Sequence, residues 1–514
     1  MGMEVGTRRA TAPGIFRSRP SRIGIDTPRG LLVVAGLIGI TLGGPSPGHA
    51  ASRLKWSTPH LEASGALRFW VAGTDESEPI TPERSSRIEI LTSRDPAEDP
   101  GSWRILGGST VLTQGMLRLD HTPEAGSPRG FFLAREASPT SDVTVRDAAG
   151  LRSAVAAARP GTRILLAPGV YPGGFSFAGL RGATNSPIVL AGADPSQPPV
   201  IQGGANGIQL TDPAFVEIRD IHFGGATGNG LNIDDGGTFD TPARHVTLRR
   251  LVIRDVGPQG NRDGIKLSGV VSFRVEQCTV ERWGTGGSAV DMVGCHDGLI
   301  LSNVFRHLPA TASEAGNGVQ TKGGSRNIVV RRNRFEHSGS RGVNIGGSTG
   351  LEFFRPPLGA AEGRWEAKDI QVEGNTFVGT TSPVAFVGVD GAEVRFNTIH
   401  RPGRWAIRIL QETTVAGFVP CRNGRFSDNL VVFHSSQWSA GGVNVGGGTA
   451  PNTFQFARNA WYCLDQPSRS RPTLPVAENN GTYGAAPIFM DAATGDFRQT
   501  PESPTLGVGA DALP

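Results

Sequence analysis

The chain is predicted to be all-β: a right-handed parallel β-helix solenoid preceded by a small N-terminal β domain. Three observations predict it. First, a five-residue phrase recurs as NGIQL, NGLNI, DGIKL, SAVDM, NGVQT, RGVNI, WAIRI and GGVNV, at 206–210, 229–233, 263–267, 288–292, 317–321, 341–345, 405–409 and 441–445. Marked on its second letter, it returns after 23, 34, 25, 29 and 24 residues, then after 36 beyond a gap holding one unmatched turn. Units of that length, each with one short alternating strand, can bury their apolar side only by stacking on neighbours. Second, the 72 glycines follow no three-residue period, which excludes collagen. They bracket short strands, where the chain must turn. Third, a second family of strand-like runs from 215 to 437 sets Asn303, Asn333, Asn375 and Asn397 before an apolar residue at a corner. Asparagine suits left-handed corners and its amide can satisfy stacked backbone groups, so a structural ladder is expected. A propeller would need blades of roughly 40–45 residues joined by tight hairpins. The spacings are shorter.

Along the chain, residues 1–50 read as a signal peptide. Arg8, Arg9, Arg17, Arg19, Arg22 and Arg29 precede an apolar run from Leu31 to Leu42, and the small residues Gly48 and Ala50 mark a cleavage point. The run falls short of the roughly 20 residues a membrane span takes, so a secreted or periplasmic protein without a stable span is expected. Removing this segment leaves 44 basic against 44 acidic residues, so the whole formal charge of +4 belongs to it. A nucleic-acid partner therefore has no support, and no basic run with interleaved aromatics supplies one.

Residues 51–145 are read as a β-rich domain, with LRFWVAG (67–73), RIEILTS (87–93), VLTQGMLRLDH (111–121) and GFFLARE (130–136) as its strands. The solenoid is assigned to 146–495, opened by an amphipathic helix at 151–158 that caps the exposed first turn. Residues 496–514 are read as a C-terminal tail. Of four cysteines, Cys278 is expected to be a buried stacked residue, and a Cys421–Cys463 bridge is compatible with export. No CxxC pair, clustered histidines or Walker lysine is present.

Side chains alternate across a strand. If the apolar letters of the phrase face inward, one outward column is Gln209, Asn232, Lys266, Asp291, Gln320, Asn344, Arg408 and Asn444. Two residues further along lie Thr211, Asp234, Ser268, Val293, Lys322, Gly346, Leu410 and Gly446. With turns about 4.8 Å apart, Lys266, Asp291, Gln320, Lys322 and Asn344 form one patch spanning four turns. The excursions 234–262, 307–316 and 347–368 are placed to wall a groove beside it.

Such a patch has the parts for lyase chemistry on a uronic-acid polymer. Removal of the C5 proton needs a base, and the charge that develops on the carboxylate needs a cation beside it. Lys322 is the candidate base, Lys266 or Arg341 the carboxylate holder, and His337 a proton donor. Gln320, Asn344 and Asn232 are candidate substrate contacts. Alternatively, Asp291 with Asp263, Asp234 or Asp235 could hold Ca²⁺ against the same carboxylate. Glycoside hydrolysis wants two or three carboxylates across the bond, and no tight acidic trio accompanies these.

The opening ARPGTRILLAPGVYPGGFSFAGLRGATNSPIVLAGADPSQPPVIQGG (158–204) and the stretch VQTKGGSRNIVVRRNRFEHSGSRGVNIGG (319–347) resemble the parallel β-helix polysaccharide lyase family of chondroitinase B and alginate lyases. The resemblance covers about 151–350. It implies β-elimination on an acidic polysaccharide, with a lysine base matching Lys322, a nearby arginine, and often Ca²⁺. The family arginine falls at about Gly346, with Arg341 five residues away, and Asn317 and Gln320 stand where acids are expected. A secreted, monomeric lyase is the favoured reading. The alternatives are a non-catalytic polysaccharide-binding or structural protein, and a glycoside hydrolase or uronate epimerase.

Overall fold

The computed structural model describes residues 141–514, apart from 184–185, 258, 308–315 and 360–362. Before these it describes 54–57, 60–62, 67–73, 79–81, 85, 88–93, 104–105, 110–121 and 131–136. The signal-peptide reading of 1–50 lies outside the described residues. Among those described, no helix is long and apolar enough to cross a membrane.

The chain divides into two compact units meeting at 137–138. In the first, Leu67–Gly73 and Met116–His121 pair antiparallel in one sheet, while Ile88–Ser93 and Phe131–Glu136 pair antiparallel in another. The run read as one strand at 111–121 is a hairpin. Gln114 and Gly115 turn it with φ of 50° and 72°, the positive pair a tight hairpin requires. Phe69, Val71, Ile90, Leu117 and Leu119 form the core of this unit.

The second unit is the predicted solenoid. Three parallel sheets run its length: a first of 13 strands from Ser141–Val145 to Glu478–Asn479, a second of 12 from Val170–Pro172 to Thr482–Tyr483, and a third of 10 from Phe175–Ala178 to Val443–Val445. Its first strand, Ser141–Val145, precedes residue 146. The helix spans Ala148–Ala157. It is capped by Asp147, whose side chain accepts from Gly150 N at 2.7 Å, and it buries Leu151, Ala154 and Val155 over the first turn. The C-terminal segment is not loose: Gly509 N donates to Asp428 O, and Ala510 N to Thr398 Oγ1.

Repeating phrases supply the third sheet, in the register the alternation predicts. Gln209, Asn232, Lys266, Asp291, Gln320 and Asn344 are successive Cα partners. Ile208, Leu210, Leu231, Ile233, Ile265 and Leu267 point inward and are essentially unexposed. The unmatched turn is Ser382–Val387, which puts Ala385 between Asn344 and Arg408.

The asparagine ladder is present and longer than expected. Each of Asn303, Asn333, Asn375, Asn397 and Asn429 donates its backbone N–H and its side-chain Nδ2 to the Oδ1 of the next, ending on Asn459. Asn459 in turn donates to Glu478. The left-handed residue is the one before each asparagine, as at Ser302 (φ 54°) and Arg332 (φ 54°). The asparagines themselves are the acceptors that the kinked corner leaves room for. All four cysteines are free and buried, so the Cys421–Cys463 bridge is not formed. Cys278 is buried, as expected for a stacked residue, with its thiol against Glu276 O at 3.4 Å.

Candidate functional site

On the outer face of the third sheet, six of the ten turns link the residue at the entry of the strand to the residue three further on. Asn206 meets Gln209, Asn229 meets Asn232, Asn317 meets Gln320 and Arg341 meets Asn344 by hydrogen bonds of 2.9–3.4 Å. Asp263 meets Lys266 as an ion pair at 3.6 Å, and Trp405 lies under the Arg408 guanidinium at 4.7 Å. The entry residues are also laddered along the axis. Asn229 N donates to Asn206 Oδ1, Asp263 N to Asn229 Oδ1, and Ser288 N to Asp263 Oδ1 at 2.7 Å. Asp263 therefore holds a place that asparagine fills in the turns before it.

Lys266 is the centre of the charged cluster. Its Nζ pairs with Asp291 Oδ2 and with Asp263, and Asp291 Oδ1 faces Lys322 Nζ at 3.5 Å. Both aspartates are almost sealed, at 1 and 2 % exposure, whereas the lysine side chains keep 17 and 15 %. Burial, with Asp291 alongside, pushes the Asp263 carboxyl up to about 7. Burial also pulls the Lys266 ammonium down, but Asp291 and Asp263 more than offset it and hold it above its ordinary range. Asp291 Oδ1 accepts no hydrogen bond. It is a sealed acceptor facing only the looser of the two ammonium groups.

The predicted columns thus share one face, but their middle is not open to solvent. Gln320 and Asn344 are buried at 8 and 1 % exposure, because the entry residues fold over them: Gln320 Oε1 accepts from Ser288 Oγ and Asn317 Nδ2, and Asn344 Oδ1 from Arg341. Asn232 belongs to a separate amide group with Gln209 and Asp234, joined at 2.6–3.2 Å.

Other candidates stand apart. Arg341 pairs in register with Asn317, at the far end of the strand from Lys322, about 17 Å away at roughly 3.3 Å per residue. It bonds Glu412 instead. His337 sits earlier still, at a left-handed corner (φ 48°) with its ring against Gly379, so it does not reach the cluster as a proton donor. Gly346 cannot be the family arginine for a steric reason. Its φ is 91°, and a Cβ there would lie 1.9 Å from Val387 O.

The four aspartates named as Ca²⁺ ligands do not form one set. Asp234 lies in the amide group, and Asp235 turns to the other side to pair with Arg355 at 2.8 Å. Asp263 and Asp291 already share a cation, the Lys266 ammonium, in the place a divalent ion would need. Among the described residues no group of three or more His, Cys, Asp or Glu could hold a metal, and Ca²⁺ wants six to eight oxygens. These residues do not fit it.

Two residues that sequence reasoning missed organise the flank. Residues 347–359 and 363–366 fold back along the strand ends. Arg355 crosses earlier turns to reach Asp235, and the sealed Glu366 accepts from Gly323 N, Thr349 N and Thr349 Oγ1 at 2.7–3.0 Å. Excursion 234–262 is not one loop, since it contains the strands Ala243–Arg249 and Val252–Arg254. Most of 307–316 lies outside the described residues.

A family profile described as a right handed beta helix region matches residues 206–456, which include the whole cluster. No curated protein matches the chain in sequence. Among solved structures it is similar to an alginate lyase from Paenibacillus sp. str. FPU-7, at 18% identity and TM-score 0.40, covering 66% of this chain and 95% of that one. It is similar to pectate lyase Pel9A at 13% and 0.41, covering 72% and 92%. The A-module of Azotobacter vinelandii mannuronan C-5 epimerase AlgE6 stands at 18% and 0.41, covering 65% and 92%. Likenesses of this strength carry no site residue across.

Proposed function

We propose that this β-helix chain, acting as an exported monomer, binds an acidic, uronic-acid-containing polysaccharide on the outer face of its third sheet and cleaves it by β-elimination. The observation that carries the reading is the cluster of two lysines and two aspartates on three adjacent turns, with the ammonium groups the more exposed. β-Elimination removes the proton at C5, beside the sugar carboxylate, so it needs a base at that proton and positive charge at the carboxylate. Lys266, kept charged by two aspartates, supplies the charge. Lys322, more loosely paired, is the base in its neutral form and returns the proton to the departing glycosidic oxygen. Gln320 and Asn344 hold the lysines' strands in register rather than touch the sugar.

A second reading has its own support. Lys322 Nζ lies 3.5 Å from Asp291 Oδ1 and Lys266 pairs with the other oxygen, and two ammonium groups anchored on one carboxylate make an anion-binding surface without catalysis.

Incubation with polymannuronate, polyguluronate, polygalacturonate and chondroitin tests both. Cleavage by elimination gives an unsaturated end that absorbs in the ultraviolet, and Lys322→Ala abolishes it. Retardation of the polymer in a gel without new absorbance supports the binding surface. New reducing ends without absorbance would mean hydrolysis and end the elimination reading. Export is tested by the mass of the mature chain, expected to begin after Ala50.

A further inference from the structure

The third sheet carries a second charged locus. The turn Ser382–Val387 puts Ser382, Ala385 and Val387 on the outer face, and all three are fully buried. Outward positions can be buried only if neighbours cover them, and the flanking turns supply long side chains. Arg341 lies one turn before Ser382 in register, and Arg408 one turn after Ala385. Trp405 lies beneath two guanidinium groups, Arg404 at 4.1 Å and Arg408 at 4.7 Å. Arg341 and Arg404 both repel Arg408. Against these three arginines stands one carboxylate, Glu412, and it pairs with Arg341. Glu412 also attracts Arg408, whose Nε donates to Asn444 Oδ1 at 3.0 Å, but among the described residues neither Arg404 nor Arg408 forms an ion pair with a carboxylate.

Two buried polar groups at this locus also lack partners. Ser382 Oγ and Trp405 Nε1 accept or donate no hydrogen bond, although a buried group left unpaired loses its hydration without replacement. A hydroxyl, an indole N–H and surplus guanidinium groups are all donors. They are the set that a carboxylate would satisfy.

We propose that Ser382, Trp405 and Arg408, with Arg341 and Arg404, form a carboxylate-binding subsite for a uronate unit of the polysaccharide chain. It rests on the third-sheet face being the polymer-binding surface. In register Ser382 lies two turns and Trp405 three turns beyond Lys322, at the opposite end of their strands, about 20 Å away at roughly 3.3 Å per residue and 4.8 Å per turn, so the polymer runs obliquely across the face. A disaccharide at Lys322 cannot reach it, and a hexasaccharide can. The incoming carboxylate takes Arg341 from Glu412.

The test is calorimetric titration of the full chain with oligogalacturonates and oligomannuronates from two to eight units, alongside neutral oligosaccharides of the same lengths. Affinity for the long acidic oligomers is expected to exceed that for the dimers and to fall about tenfold or more in Arg408→Ala, with dimer binding unchanged. A charged hydrogen bond of about 1.5–3 kcal/mol corresponds to that loss. Glu412→Gln, an exposed position that should fold normally, is expected to tighten the long oligomers severalfold. Polymer cleavage or binding at Lys322 with no response to either variant would overturn the subsite alone. Length-dependent binding lost in Arg408→Ala, in a protein that never cleaves, would support the subsite and end the lyase reading. Failure to bind any acidic oligomer, or equal binding of neutral ones, would overturn both.

Discussion

Lys322 Nζ stands 3.5 Å from Asp291 Oδ1, an oxygen with no hydrogen bond, while the other oxygen of the same carboxylate is held by Lys266. One sealed aspartate thus serves two lysines on the turns either side of it. Removing one partner of a buried ion pair leaves its charges uncompensated, which costs about 3–5 kcal/mol. Asp291→Ala should lose stability of that order in urea unfolding. Lys322→Ala, which leaves the Lys266 pair intact, should lose about 1 kcal/mol or less, as a partly exposed pair does. Equal losses would mean that Asp291 does not organise the cluster.

Asp263 makes stability depend on pH in an unusual direction. Its carboxyl is raised to about 7 by burial and by Asp291, against about 3.9 in an unfolded chain. Between those values the folded state holds a proton that the unfolded state has lost, so this contribution is fully present below about pH 4 and is lost as pH rises through about 7. Protonated Asp263 also matches the asparagine of the neighbouring turns, since its Oδ1 accepts from Ser288 N. Asp263→Asn should therefore unfold at nearly the same denaturant concentration at pH 5 and pH 8, while the unaltered chain weakens relative to it at pH 8. A parallel response in both would show that Asp263 is not the titrating group.

Metal removal separates this cluster from a calcium site. With Lys266 as the cation shared by Asp263 and Asp291, excess chelator should shift neither the thermal midpoint nor polymer binding. In Lys266→Ala the two aspartates face each other with only Lys322 left beside Asp291, and the midpoint should drop by several degrees. A chelator-induced drop in the unaltered protein would show that a divalent ion binds at the place of the ammonium.

Much of this was legible before any coordinates. A period-two alternation fixes which side chains share a face, so Lys266, Asp291, Gln320 and Asn344 could be aligned from letters alone, and register confirms them. What alternation does not carry is depth. Gln320 and Asn344 are buried because residues three earlier fold over the face, a cross-link with no hydropathy signature. Nor does it carry loop trajectories, so Arg355 reaching Asp235 across 120 residues of sequence was invisible. Arg341 and His337 failed as partners of Lys322 for a simpler reason. Proximity in sequence along a strand is distance in space.

The thiols offer a direct check on the cysteines. All four are buried and free, and burial pushes Cys278 and Cys295 up to about 12 and Cys421 to about 11. The thiolate is the reactive form, so a thiol reagent at pH 8 should label none of these three in the folded chain and all of them after denaturation without reductant. A shortfall of two after denaturation would reveal a disulfide.

The ladder predicts where the solenoid is most easily broken. Asn375 donates from Nδ2 to Val330 O at 2.8 Å and to Asn397 Oδ1, and accepts on Oδ1 from the N–H and Nδ2 of Asn333. Asn375→Ala removes all four bonds and leaves the buried Asn333 donors without an acceptor. Desolvated orphans cost about 1–3 kcal/mol each, so a loss of about 3 kcal/mol or more is expected. Asn375→Asp keeps the acceptor but turns a carboxylate oxygen toward Asn397 Oδ1 in a sealed corner, so it should cost at least as much at neutral pH and recover in part on acidification. At Asn459, where the ladder ends on Glu478, the same aspartate substitution opposes two carboxylates directly and should show the larger recovery. If both positions tolerate aspartate at neutral pH, the stacked amides are packing rather than a hydrogen-bonded spine.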